Sequence, residues 1–266
     1  MNIRTDSGIL HVEPVMGTTV TIDVRDQHLT RAELVQAVTA AVDTLHHADR
    51  TFSTWRPNSM ISQLRRLART IEHCPAEVVS VLARCAAAKE RTEGWFDPWA
   101  MPDGFDPTGL VKGWAAQRAL RAMAQLGVLH ALVNAGGDLA VMGNATGTQD
   151  GSGWCVGVLD PARPERLLAK VGGSDVAVAT SGSYERGSLA VDPHTGEIVR
   201  RLASATVVAA DLAFADACAT AATAHGPAAL DWLARAPGVQ ALLVDLDGTL
   251  LPTAGWPASW TRGALR

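Results

Sequence analysis

No apolar run in this chain approaches the ~20 residues needed to span a membrane as a helix. The first fifteen residues, MNIRTDSGILHVEPV, lack the apolar core and small-residue cleavage site of a secretory leader, so a cytoplasmic location is expected. The four cysteines (Cys74, Cys85, Cys155, Cys218) form no C-x-x-C pair, which excludes the common zinc and dithiol motifs and predicts buried free thiols. The eight histidines have no H-x-x-x-H spacing. A net charge of −4 and a pI near 6.0 exclude the basic surplus of a nucleic-acid or anionic-membrane binder. Lysine is scarce, with only Lys89, Lys112 and Lys170, and there is one tyrosine.

What is present suits an ordinary globular chain. With 266 residues, 47% hydrophobic and 19% charged, it can bury a sizeable core, and no repeat, low-complexity tract or linker divides it. One domain over residues 1–266 is expected. Residues 11–24 read as strands interrupted by MGTT. Thr30 and Glu33 form a capping box for a helix to about Ala48, with Leu34, Val35, Val38, Ala41, Val42 and Leu45 on one face. Ser59 caps a short helix, and Pro75 opens another to about Arg91. A further helix is expected from about Lys112 to Leu126 and an alanine-rich one from Asp211 to Ala224. HALVNAGGDLAVMG reads as a hairpin; residues 154–159, 176–180, 205–209 and VQALLVDL read as strands. Helices and hairpins mix without strict alternation, so the expected class is α+β.

VDLDGTLLP, residues 244–252, has the letters of the opening motif of haloacid-dehalogenase-like phosphatases. That reading requires a Rossmann-like domain downstream. Only 14 residues follow Pro252, so a strand ending in an Asp-Gly turn is the expectation.

Several residues are chemically conspicuous. Lys112, in DPTGLVKGWA, lies where loop becomes helix, and a cation at a helix N-terminus opposes the macrodipole by roughly 0.3–1 kcal/mol. An anion held there by the ammonium and free N–H groups reverses that sign; a solvated lysine is the alternative. Asp106, before Pro107, is either a turn residue or an acceptor for a ligand edge, with Gly109 allowing close approach. Asp216 and Thr220 share a helix face and present hard oxygens of the kind Mg²⁺ accepts, or else form a solvent-facing stripe. Trp55, Trp95, Phe96 and Trp99 stand in loops, where they close a core or stack on a flat ring. His46 and His47 lie near the expected end of the first helix, in solvated or capping roles.

Together the segments MGTTVTI, FSTWRPNSMISQL, GWFDPW, FDPTGLVKGWA, NAGGDLAVMG, VATSGSYER, DPHTG and TVVAADLAFADACATAATAHG resemble, in order and spacing, the ApbE-type flavin transferases, the FAD:protein FMN transferases. The resemblance implies a T-fold-like α+β domain with FAD in a cleft. It also implies Mg²⁺ at the diphosphate and transfer of FMN through its phosphate to a threonine or serine of a partner protein, with release of AMP. Carried over by residue, Met16 and Trp55 flank the flavin, and Trp95, Phe96 and Asp97 form part of the wall. Asp106 and Lys112 hold FAD, Ala190 contacts it through its backbone, and the Gly109 carbonyl, Asp216 and Thr220 bind Mg²⁺. The family's usual histidine position is Leu189 here, with His194 as a weak substitute, so the catalytic acid/base is unassigned. FAD hydrolysis to FMN and AMP, or FAD binding without catalysis, are the alternative functions.

Overall fold

The computed structural model describes residues 2–5, 8–146, 153–182, 190–256 and 263–264, the first and last of these segments as backbone only. In chain order the elements begin with β1 (Asn2–Thr5), β2 (Gly8–Val15), β3 (Thr18–Val24), α1 (Arg31–Phe52), α2 (Met60–Arg65), α3 (Ala76–Arg91) and α4 (Thr108–Ala124). Then come β4 (Ala131–Ala135), β5 (Asp138–Met142), β6 (Trp154–Asp160), β7 (Arg163–Gly173), β8 (Ala177–Gly182), β9 (Ala190–Val191), β10 (Ile198–Val199) and β11 (Ser204–Ala209). The last are α5 (Leu212–His225), α6 (Leu230–Arg235), β12 (Gln240–Val244), β13 (Leu250–Pro252) and β14 (Gly263–Ala264).

Nine strands pair antiparallel in the order β1-β2-β3-β4-β5-β8-β11-β12-β13, so the sheet keeps chain order once the excursions β6–β7 and β9–β10 are set aside. This is the α+β arrangement expected. Alternation along the strands assigns the faces. Ala177, Ala179, Ala205, Val207, Ala241 and Leu243 turn to the layer of α1, α4 and α5. Their neighbours Val178, Val208 and Leu242 turn to the opposite side, where Trp154, Val156, Val158, Ala169 and Val171 of the β6–β7 ribbon cover them. Because both faces are covered, β11 is buried at every position.

The capping box of α1 is present: Thr30 accepts the Glu33 N–H while the Glu33 carboxylate accepts from Thr30 N–H at 2.7 Å. The helix runs four residues beyond Ala48, and Phe52 seals it by an edge-on contact with Trp114 at 5.0 Å. His46 and His47 therefore lie inside the helix rather than at its end; they pair with Glu13 at 2.8 Å and Glu77 at 2.5 Å. Ser59 caps α2 as expected, through Ser62 N–H at 3.0 Å.

Helix α4 starts at Thr108, four residues before the expected start. Lys112 thus lies past the first turn, and its charge is not set against the helix end. The VDLDGTLLP stretch is the hairpin β12–β13: Asp245 N–H meets Thr249 O at 2.9 Å, and Gly248 takes the left-handed φ of 87° that the turn requires. Residues 246–249 are exposed, as a surface turn should be. All four cysteines are free; Cys85 and Cys218 are buried, which pushes each thiol up to about 12, but Cys155 is exposed, against expectation.

Candidate functional site

The cleft is built where α4 and α5 cross. Gly109 and Gly113 stand one turn apart on α4, facing Leu212, Asp216 and Thr220 at the same spacing on α5. A Cβ on Gly113 would meet the Leu212 carbonyl oxygen at 2.6 Å, and one on Gly109 would meet Thr220 Oγ1 at 2.8 Å. Only glycine lets the helices come this close, and small alanines on α5 continue the contact. Asp216 is fixed by that approach, its Oδ2 accepting the Gly113 N–H at 3.0 Å.

Asp216 is 2% exposed, so the solvent-facing stripe is excluded. Beside it lies Asp138, 0% exposed, at the first position of β5 after the Gly136–Gly137 turn. Asp138 accepts the Thr180 N–H at 3.3 Å through Oδ1, and its Oδ2 stands 2.9 Å from Lys112 Nζ. Two buried carboxyl groups thus lie near one ammonium, which pairs with Asp138. Burial pushes both up from the usual carboxylate value, and the Asp138 charge adds to the upward push on Asp216. The Lys112 charge and hydrogen bonds to Asp138 oppose the rise there.

Lys112 and Asp216 line the floor of an open cleft of about 1690 Å³, with Asp138 buried behind them. Its lining includes every residue carried over from the resemblance: Met16, Trp55, Trp95, Phe96, Asp97, Asp106, Gly109, Lys112, Ala190, Asp216 and Thr220. Met16 reaches it from the β2–β3 turn, where it adopts φ 55°, uncommon for a residue with a side chain. Trp55 is 92% exposed at the mouth. Trp95 is held between the His225 face, 3.9 Å away, and the His194 edge at 4.7 Å. His194 is therefore packed against the wall rather than part of the cleft lining. Leu189 lies outside the described residues. Asp97 is held by Lys89 at 2.6 Å. Asp106 is committed twice: Thr108 donates its N–H (2.9 Å) and hydroxyl (2.6 Å) to Oδ1, and Arg65 stands 3.2 Å from Oδ2. The turn role of Asp106 is thus present, in a side chain that also faces the cleft.

Asp138 and Arg65 were not anticipated. Asp138 carried one signal, an aspartate directly after a Gly-Gly turn, but a turn alone accounts for those letters. Arg65, the last residue of α2, carries no such signal in the sequence.

The donor chemistry suits Mg²⁺. Asp216, the Thr220 hydroxyl and the Gly109 carbonyl offer hard oxygens, with no thiol or imidazole among them. Among the described residues no group of three or more His, Cys, Asp or Glu is placed to hold a metal ion.

Burial, with the Arg201 charge next, pulls His225 below its usual 6.5. Its Nδ1 accepts the Trp232 indole N–H at 3.1 Å, a bond that protonation at that atom would break. A lowered folded-state value means stability present above about 6.5 and lost as pH falls through it. The melting temperature is expected to drop below pH 6.5, and to drop less in His225→Asn, whose amide oxygen still accepts from Trp232. Equal slopes in both proteins would count against this role.

The ApbE family model matches residues 16–103 and 103–243. Two curated relatives are each described as an FAD:protein FMN transferase. The one from Klebsiella pneumoniae (strain 342) is 31% identical over 159 residues, covering 56% of this chain and 45% of the relative. The one from Escherichia coli (strain K12) is 31% identical over 165 residues, covering 58% and 46%. The chain thus matches less than half the length of these relatives. Among solved structures, the flavin transferase ApbE from Vibrio cholerae superposes with a TM-score of 0.79 at 19% identity, covering 93% of this chain and 97% of that one. The ApbE protein from Thermotoga maritima gives 0.81 at 22% identity, covering 95% and 99%. At these identities the likeness shows the fold, which agrees with the antiparallel sheet and crossed helices described above. On the two-segment match, which spans most of the chain, the protein belongs to the ApbE family.

Proposed function

We propose that residues 1–266 form one Mg²⁺-dependent domain that transfers FMN from FAD to a threonine or serine of a partner protein, releasing AMP. One observation carries the reading: Lys112, Asp216 and Thr220 meet on the floor of a cleft whose aromatic walls suit a flat dinucleotide. The descriptions of the curated relatives support the same activity.

In this reading Asp216, Thr220 and the Gly109 carbonyl hold Mg²⁺, which when bound neutralises the diphosphate and polarises the phosphoryl oxygens. Lys112, paired with Asp138, would add its ammonium charge to the same diphosphate. Met16 and Trp55 flank the flavin at the mouth, while Trp95, Phe96 and Asp97 wall the cleft. Asp106, pre-oriented by Thr108 and Arg65, accepts from a ring N–H of FAD, and the Ala190 backbone completes the contact. The partner's hydroxyl oxygen bonds to the FMN phosphorus, and the bond to the bridging oxygen breaks. That oxygen leaves with AMP, and the hydroxyl proton passes to solvent. Catalysis then consists of positioning and charge neutralisation, as in other phosphoryl transfers.

The test is incubation of the protein with FAD and a candidate acceptor, with Mg²⁺ or with EDTA. Mass spectrometry should find the acceptor heavier by one FMN unit and one AMP released per transfer, only with Mg²⁺. AMP and free FMN without an adduct would instead indicate hydrolysis, and bound FAD left intact would reduce the protein to a flavin binder.

A further inference from the structure

Asp138 is a charged residue with no access to the cleft. It is absent from the cleft lining, while Lys112 belongs to it with its side chain about a quarter exposed. A fully buried carboxylate is costly unless paired and hydrogen-bonded. Here its partners sit on three different elements: the Thr180 N–H on β8, the Lys112 ammonium on α4 and the Asp216 carboxyl on α5. The β4–β5 turn fixes the backbone from which it projects, since Asp138 pairs with Ala135 across the left-handed Gly136 and Gly137. Lysine has a flexible four-carbon stem and a point charge, so it needs an external anchor to hold one position.

We infer that Asp138 is a positioning residue, which never touches substrate but holds Lys112 Nζ beside the oxygen set of Asp216 and Thr220. The inference rests on the proposed FAD site and says how that site is kept in register. The sheet supplies the anchor, and the helix pair supplies the groups that face the ligand. An orienting partner of this kind is typically worth about 10–100-fold.

A double-mutant cycle tests it. Asp138→Asn keeps the size and the acceptor for Thr180 but removes the charge that holds Lys112. It should lower AMP release from FAD by about 10–100-fold and weaken FAD binding, measured by flavin fluorescence in EDTA, in the same direction. In a Lys112→Met background the same change should have almost no further effect, because a residue acting through another loses its effect when that other is gone. A purely structural residue would give additive losses, and additive losses overturn the inference. A wild type that binds FAD but releases no AMP even with Mg²⁺ and the acceptor present removes the proposed activity, yet the binding cycle still decides the role of Asp138. Should Asp138→Asn not fold, the intact protein provides a second measurement. With three lysines, ¹⁵N-lysine labelling should give one slowly exchanging ammonium signal, absent from Lys112→Met. Three equally fast-exchanging signals would also overturn it.

Discussion

Asp216→Asn is expected to abolish the proposed Mg²⁺-dependent FMN transfer while making the metal-free protein more stable. The amide keeps what the carboxylate contributes to packing: its oxygen accepts the Gly113 N–H and its NH₂ faces Asp138. It loses the negative charge that a dication requires. A bound metal supplies several kcal/mol of charge stabilisation, and about 1.36 kcal/mol is tenfold, so transfer should fall by roughly 10³-fold or more. Stability moves the other way, because a desolvated acid beside a second acid is replaced by a neutral group. The gain should be about 0.5–2 kcal/mol, the usual size when a strained functional group is neutralised. The sign with pH follows from linkage. A carboxyl pushed upward by burial favours folding at low pH and loses that contribution as pH rises through its folded-state value. Thermal unfolding in EDTA should therefore show the variant's advantage growing as pH rises above the ordinary carboxylate range. A variant less stable than wild type at pH 8 would contradict the buried-pair description.

The second large effect is expected at Gly113. Glycine inside a helix ordinarily costs roughly 0.8–1.0 kcal/mol relative to alanine, so propensity alone predicts that Gly113→Ala stabilises. The added methyl would sit 2.6 Å from the Leu212 carbonyl oxygen and 3.1 Å from Asp216 Cβ. Backbone oxygen cannot swing aside, so the helices must separate, and overpacking of this kind costs about 1–3 kcal/mol. Sterics win, and the net loss should lower the melting temperature by several degrees, at roughly 2–4 °C per kcal/mol for a chain of this size. Separation also draws Asp216 and Thr220 away from Lys112 and Gly109, so FAD turnover should fall along with stability. An unchanged or raised melting temperature would mean that the α4–α5 crossing is looser than described.

The parts of this architecture legible in the sequence are those carried by local spacing. Asp216 and Thr220 stand one helical turn apart, so their shared face follows from periodicity alone. Thr30 and Glu33 announce the start of α1, and the Asp-Gly letters after β12 mark a hairpin. The start of α4 was hidden because Pro107 takes the place usually held by a capping side chain, while Asp106 accepts the Thr108 N–H from outside. Strand β7 carries arginine, glutamate, lysine and proline, with most of its first half exposed, and so lacks the alternation that marks a half-buried strand. Its pairing with β6 also slips at Leu159, which blurs the period further. Asp138 was illegible for a different reason. Its chemistry arises from Thr180, Lys112 and Asp216, three partners brought together only by the sheet order and the helix crossing.

The strand closing the far side of the large sheet has a consequence for self-association. β13 is three residues long and ends in Pro252, which has no N–H to offer a neighbouring chain. A second molecule cannot lengthen the sheet there by main-chain pairing over more than a residue or two, so that flank is poorly suited to growth of an extended β-assembly.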